Sequence, residues 1–144
     1  MDIAAIAALA PVVPVLTVER PADAVPLARA LVKGGLPVLE IDAFGPCAAL
    51  EALRAMRGRG AGTPSSGAGT VLDAGQLEQA RRAGARFAGQ PGLHPALVQA
   101  AQDGRPAVPA RRPDGVGGYG ARPSRASGCL KFFPAEDGAE ALAG

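Results

Sequence analysis

The hydrophobic positions of this chain recur in a fixed order: an amphipathic helix-forming stretch, a glycine, and then a short apolar run. Residues 21–33 carry apolar side chains at helical spacing, Gly34-Gly35 ends the helix, and 36–41 is a continuous apolar run typical of a buried strand. The same order recurs over 46–57, 73–88 and 95–108. This alternation predicts an α/β fold with a parallel sheet, either open or closed into a barrel.

Local signals predict where several elements end. Asp73 is a good N-cap for a helix that runs to Ala83, and Gly84 ends that helix. Short strands are predicted at 85–88, 107–108 and 130–133. The helix over 21–33 is predicted to bury one face made of Val25, Leu27, Ala28, Leu31 and Val32.

The segment 110–128 interrupts this order because it has no apolar periodicity and is rich in Gly, Pro, Arg and Ser. We interpret it as an irregular loop within a single domain over 1–144. A weaker alternative is that its arginines bind phosphate or RNA, although no aromatic residues are interleaved with them. These arginines are Arg111, Arg112, Arg122 and Arg125.

Composition narrows the classes of protein. The 144 residues are 48% hydrophobic and 19% charged, which is enough for one domain with a moderate core. The net charge of +2 gives no strong attraction to nucleic acid or membrane, so neither is an expected partner. Residues 1–10 lack the basic start of a signal peptide and are interpreted as a short helix. No apolar run is long enough to span a bilayer, and a cytoplasmic location is expected.

The residues that usually bind metals are scarce. Cys47 and Cys129 lie in no metal-type spacing, and His94 is the only histidine. A metal site is therefore not predicted, and no cofactor is expected.

Lys131 is the first candidate for chemistry, because it lies inside the apolar string Leu130-Lys131-Phe132-Phe133. Desolvation lowers the pKa of a lysine from about 10.4 towards neutrality, and the free amine can then attack a ketone. The alternative is a lysine at a strand end whose ammonium group reaches water. From spacing alone, the alternative is favoured.

Several motifs, in order along the chain, carry a resemblance to a known family. The string Lys131-Phe132-Phe133-Pro134-Ala135-Glu136 resembles the Schiff-base strand of the 2-keto-3-deoxy-6-phosphogluconate (KDPG) and 4-hydroxy-2-oxoglutarate aldolases. Other stretches are similar to earlier strands and helices of that family: 11–16 (PVVPVL), 23–32 with Gly34-Gly35, Val38-Leu39-Glu40, 67–72 (GAGTVL) and Pro91-Gly92-Leu93.

The resemblance implies a fold and an activity. The fold is a (β/α)8 TIM barrel, here incomplete, with roughly six of eight strand–helix units. The activity is that of a class I, Schiff-base aldolase, which cleaves KDPG to pyruvate and glyceraldehyde 3-phosphate, or 4-hydroxy-2-oxoglutarate to pyruvate and glyoxylate. The family needs no cofactor, binds a small keto acid and usually forms a homotrimer.

The resemblance also assigns roles to individual residues. Lys131 would form the imine, and Glu40 would move the protons. Thr70, Pro91 and Phe132 would bind the substrate or shape its pocket. The alternatives are a solubilising carboxylate at a strand end for Glu40, and a tight strand-to-helix turn for Gly67-Ala68-Gly69-Thr70.

Some residues depart from the family pattern. Phe44 stands where the family has an arginine that holds the substrate carboxylate, and Asp42 adds an acid nearby. The family's phosphate-binding turns lie in the last two units, which we expect to be missing. We therefore expect the chain to be marginally stable, prone to aggregation or dependent on oligomerisation. An alternative function is therefore an inactive, truncated relative without catalysis.

Overall fold

The computed structural model describes residues 5–6, 8–10, 12–44, 48–58, 63–90, 95–102, 110–112 and 130–132. The described elements are β1 (Val15–Leu16), α1 (Pro21–Lys33), β2 (Val38–Asp42), α2 (Ala49–Met56), β3 (Ser65–Gly69), α3 (Ala74–Ala83), α4 (Pro95–Gln102), β4 (Ala110–Arg112) and β5 (Leu130–Phe132). The alternation predicted from the sequence is confirmed as an α/β fold. Within these ranges no helix is long and apolar enough to cross a membrane.

The first three strands form a parallel sheet in the order β1-β2-β3. Glu40 of β2 lies opposite Val15 of β1 and Gly67 of β3. Residues 85–90 extend this sheet beyond β3 through a bridge between Ala68 and Ala88. The Gly89 N–H donates to the Ala68 carbonyl at 2.7 Å, and the Val71 N–H donates to the Gly89 carbonyl at 2.9 Å. Four consecutive segments therefore run parallel, with their carboxyl ends at one edge.

The two faces of this sheet bury different residues because side chains alternate along a strand. Leu39, Ile41 and Ala68 belong to the large core cluster, which also contains buried residues of α1, α2 and α3. Val38 and Phe87 belong to a smaller cluster with Ile6 and Ala10. Glu40 lies two residues after Val38, so its side chain is on the face of Val38 and not on the face that contacts the helices. On the neighbouring strand it lies opposite Gly67.

Helix α3 shows why its bounds were predictable. The Asp73 carboxylate accepts a hydrogen bond from the Gln76 N–H at 2.8 Å, and the Gln76 side chain accepts one from the Leu72 N–H at 2.7 Å. This arrangement resembles a capping box and satisfies N–H groups at the helix start. Gly84 ends the helix in the left-handed region with φ of 105°.

Several predicted bounds differ from the structure. Helix α1 spans the predicted residues, but Leu27 is 37% exposed and the residues most deeply buried are Ala24 and Ala28. Helix α2 begins at Ala49, three residues after the predicted start. A strand lies at Ala110–Arg112, inside the segment interpreted as an irregular loop, whereas 107–108 and 113–128 lie outside the described residues.

Candidate active site

The Glu40 side chain is the most deeply buried charged group of the described chain, at 4% exposure. It belongs to β2, whose residues Val38, Leu39 and Ile41 are fully buried. Because β2 is the middle strand of the β1-β2-β3 sheet, its backbone is fixed by hydrogen-bonded neighbours on both sides. The strand therefore holds the Glu40 carboxylate in a fixed position that is largely removed from solvent, where its proton transfers can be directed.

Two glycines make room for the Glu40 carboxylate. A Cβ added to Gly69 would lie 2.7 Å from Glu40 Oε1, and one added to Gly89 would lie 2.9 Å from the same atom. Both distances are shorter than real Cβ contacts, so any larger residue would displace the carboxylate. Gly69 is the last residue of β3, and Gly89 lies near the end of the next parallel segment. The carboxylate therefore lies at the carboxyl ends of the strands, where α/β barrels place their catalytic groups.

The small residues of β3 serve the chain's own side chains. A Cβ added to Gly67 would lie 2.3 Å from Cε2 of Phe87, whose ring is 3% exposed. In the structure Phe87 occupies the space beside Gly67 and Glu40 occupies the space beside Gly69.

Thr70 has a strained backbone directly after β3. Its φ of 57° is the only positive value found for a non-glycine residue within the described chain. A β-branched residue is unfavourable there, at a cost of about 1–3 kcal/mol, and such strain is concentrated at functional sites. Thr70 is exposed and directly follows Gly69, one of the two glycines that make room for the Glu40 carboxylate.

Asp42 and Phe44 occupy different surroundings. Asp42 is on the same face of β2 as Glu40 and lies opposite Gly69. Its Oδ1 is buried and makes no hydrogen bond to the described part of the protein. Phe44 packs against the large core cluster on the helix side. The departure at position 44 is therefore a packing residue, and the departure at position 42 adds a second carboxylate to the Glu40 face.

The other predicted site residues are described less fully. Lys131 is the central residue of β5 and lies opposite Arg111 in a parallel pair of strands, with Phe132 next to it. The predicted strand over Lys131 is confirmed, while the side chains of Lys131 and Phe132 lie outside the described part. Pro91 is also outside the described residues. Sequence reasoning missed Gly89, whose signal is only a glycine that follows an apolar run in another segment.

The described ranges contain no cluster of metal ligands, and the ion pairs of Glu78 lie on α3. No group of three or more His, Cys, Asp or Glu side chains that could hold a metal ion occurs there. On α3, hydrogen bonds from Arg81 and then Arg82 lower the pKa of Glu78 from 4.5 to about 2. This ion-pair network is on the outer surface of α3 and does not touch Glu40.

Comparison with known families shows which proteins the chain resembles as a whole. The family model described as KDPG and KHG aldolase matches residues 3–142. The chain belongs to the KDPG and KHG aldolase family. It is 51% identical over 94 residues to the 2-dehydro-3-deoxy-phosphogluconate aldolase of Zymomonas mobilis, an alignment that covers 64% of this chain and 43% of that protein. The chain spans about half the length of the curated relatives that it matches.

Solved aldolase structures share the fold. The KDPG aldolase of Zymomonas mobilis ATCC 29191 matches with a TM-score of 0.79 and 40% identity, covering 99% of this chain and 68% of that one. The KDPG aldolase of Legionella pneumophila, with pyruvate captured as a covalent carbinolamine intermediate, matches with a TM-score of 0.69 and 35% identity, covering 77% of this chain and 53% of that one. The chain thus shares the parallel α/β fold of this family, whose named members are aldolases.

Proposed function

We propose that this chain carries the chemistry of a class I aldolase, with Lys131 as the Schiff-base residue and Glu40 as the proton-transfer residue. The reaction is cleavage of 2-keto-3-deoxy-6-phosphogluconate to pyruvate and glyceraldehyde 3-phosphate. The second substrate is 4-hydroxy-2-oxoglutarate, which would give pyruvate and glyoxylate by the same steps.

The observation that carries this proposal is the Glu40 carboxylate, which is buried at the carboxyl ends of parallel strands and fits against Gly69 and Gly89. Burial of a carboxylate costs free energy, and this carboxylate also requires glycine at two neighbouring positions. A functional role would account for that cost. Family membership and the carbinolamine captured in the Legionella pneumophila relative support an amine that reacts with pyruvate. Lys131 lies in a strand, and the rigid backbone of a strand suits a residue that must be held in position for nucleophilic attack.

The reaction balances with two protein groups. The neutral Lys131 amine adds to the keto carbon, and the carbinolamine loses water with a proton from Glu40. The Glu40 carboxylate then removes the proton of the hydroxyl on C4. The C3–C4 bond breaks, its electron pair moves through the imine to nitrogen, and the aldehyde leaves. Glu40 returns the proton to C3 of the enamine. Water then hydrolyses the protonated imine, which releases pyruvate, restores the neutral amine and returns a proton to Glu40.

Three further residues take supporting roles in this proposal. The Thr70 hydroxyl is assigned to the substrate's carboxylate or keto oxygen. Its strained backbone and its position directly after Gly69 support this assignment. Pro91 is assigned to the pocket wall. Phe132, next to Lys131, is assigned to keeping water from the imine.

The proposal includes an assembly. The chain forms one domain over 1–144 with about six of the eight strand–helix units of a TIM barrel, and it associates as a homotrimer in the cytoplasm.

Borohydride trapping tests the assignment of Lys131. The folded chain is incubated with pyruvate and sodium borohydride, and the adduct is located by peptide mass mapping. Lys33, at the end of α1, is the only other lysine in the sequence, so Lys33→Met is a matched control. We expect an adduct on Lys131 in the parent chain and in Lys33→Met, and none in Lys131→Met. A folded chain that forms no adduct would instead be the inactive relative.

A further inference from the structure

The ring of Phe87 occupies the position of the side chain that Gly67 lacks. A Cβ added to Gly67 would lie 2.3, 2.4 and 2.5 Å from Cε2, Cζ and Cδ2 of this ring. Gly67 lies directly opposite Glu40 in the parallel pair of β2 and β3. Because neighbouring strands are only about 4.8 Å apart, the Phe87 ring is the neighbour of Glu40 on the β3 side, although it comes from a different segment.

The ring and the carboxylate lie at successive levels of the same face. Gly67 and Gly69 are two residues apart on β3, so they share this face at a separation of about 6.6 Å along the strand. The ring is at the level of Gly67, whereas Glu40 Oε1 is 2.7 Å from a Cβ added to Gly69 and 2.9 Å from one added to Gly89. The ring is therefore one level nearer than the carboxylate to the amino ends of the strands.

The ring is enclosed and fills the space on the amino side of Glu40. Phe87 packs in the small cluster with Ile6, Ala10 and Val38, and each of these residues is 5% exposed or less. Val38 lies two residues before Glu40 on β2, so it occupies the same face at the same lower level as the ring. A glutamate side chain has three rotatable bonds, and a defined carboxylate position requires neighbours that exclude the alternatives.

We propose that Phe87 is a positioning residue for Glu40. Its ring excludes the conformers in which the carboxylate would turn towards the amino ends of the strands, and it keeps the carboxylate at the level of Gly69 and Gly89. Proton transfer depends steeply on such placement, because a displacement of about 1 Å can cost about 100-fold in rate. The inference rests on the proposed role of Glu40, and it adds a residue that acts through Glu40 and not on the substrate.

Kinetics of C3 proton exchange of pyruvate in D2O, measured over a range of pyruvate concentrations, test this role. Phe87→Leu removes Cε2 and Cζ, two of the ring atoms nearest to Gly67. We expect kcat for exchange to fall about tenfold in Phe87→Leu, while KM for pyruvate and the borohydride adduct on Lys131 change little. Phe87→Met keeps the reach of the ring into this space and should lose at most about threefold in kcat.

Leu77→Val is the matched control, because Leu77 is fully buried in the large core cluster on the helix side of the sheet. All variants are compared at a temperature where circular dichroism shows them folded, and Leu77→Val should keep the parent kcat. Equal falls in Phe87→Leu and Leu77→Val would show a general effect of core packing and overturn the proposal. A parent kcat in Phe87→Leu, or a loss confined to KM, would also overturn it.

The same experiment separates this inference from the proposed function. A parent chain that exchanges and traps pyruvate, with Phe87→Leu unchanged, would refute the positioning role alone. A parent chain that does neither would overturn the aldolase function and the inference with it.

Discussion

Replacing Gly67 by alanine tests the packing that places the candidate site. The new methyl would lie 2.3, 2.4 and 2.5 Å from three carbons of the Phe87 ring, whereas ordinary contacts begin at 3.4 Å. The ring must therefore retreat by roughly 1 Å, and it is enclosed by the small cluster with Val38 and Ile6. Overpacking of this kind costs about 2–3 kcal/mol, which corresponds to a fall of roughly 5–15 °C in Tm.

Urea and thermal denaturation followed by circular dichroism measure this loss. Gly75→Ala is the matched control, because its methyl would meet only the Asp73 Oδ1 at 3.1 Å and alanine favours the helix. In the double variant with Phe87→Leu, the smaller side chain leaves room for the methyl. The double variant should therefore be at least about 1 kcal/mol more stable than the sum of the single changes predicts. Strict additivity, or a Gly67→Ala chain as stable as the parent, would refute the described contact.

Three further predictions concern the site and the surface. Gly69→Ala should reduce aldolase turnover about 100-fold with a smaller loss of stability, because its methyl would lie 2.7 Å from Glu40 Oε1 and displace the carboxylate. An unchanged kcat in steady-state kinetics would contradict this. Thr70→Gly should raise the free energy of unfolding by about 0.5–2 kcal/mol, since relief of the positive φ exceeds the entropy cost of glycine, and a less stable variant in urea would argue against strain. The Glu78 carboxyl should titrate near pH 2 by ¹³C NMR, so its contribution to the stability of the fold is complete above about pH 4.5 and is lost as the pH falls through 2. Arg81→Gln and high salt should both raise the titration midpoint of Glu78. An unchanged midpoint would exclude the ion pair as the cause of the low pKa.

The sequence predicts most of the helices because their signals are local. Helix α3 has an N-cap at Asp73 and a left-handed glycine at position 84, and both act within one turn of the chain. The buried face of α1 was only partly predicted, because hydrophobicity favours Leu27 whereas the packed structure buries Ala24 and Ala28. Small residues allow close approach to α2, and this preference depends on the neighbouring helix.

The candidate site was predictable only in part, for a similar reason. Glu40 is visible in the sequence through its motif and its place at the end of an apolar run. Its fit against Gly69 and Gly89 depends on the register between separate strands, which no local pattern gives. The same is true of Phe87, which fills the space beside Gly67 from a different segment.

Exchange of the C3 protons of pyruvate tests the central claim most directly, because it reports proton transfer by Glu40 without carbon–carbon cleavage. The chain and its Glu40→Gln variant are incubated with pyruvate in D2O, and loss of the methyl signal is followed by ¹H NMR. We predict exchange at least about 100-fold slower in Glu40→Gln, while borohydride still traps pyruvate on Lys131 in both. Exchange at the parent rate in a folded Glu40→Gln chain that still forms the adduct would contradict the account.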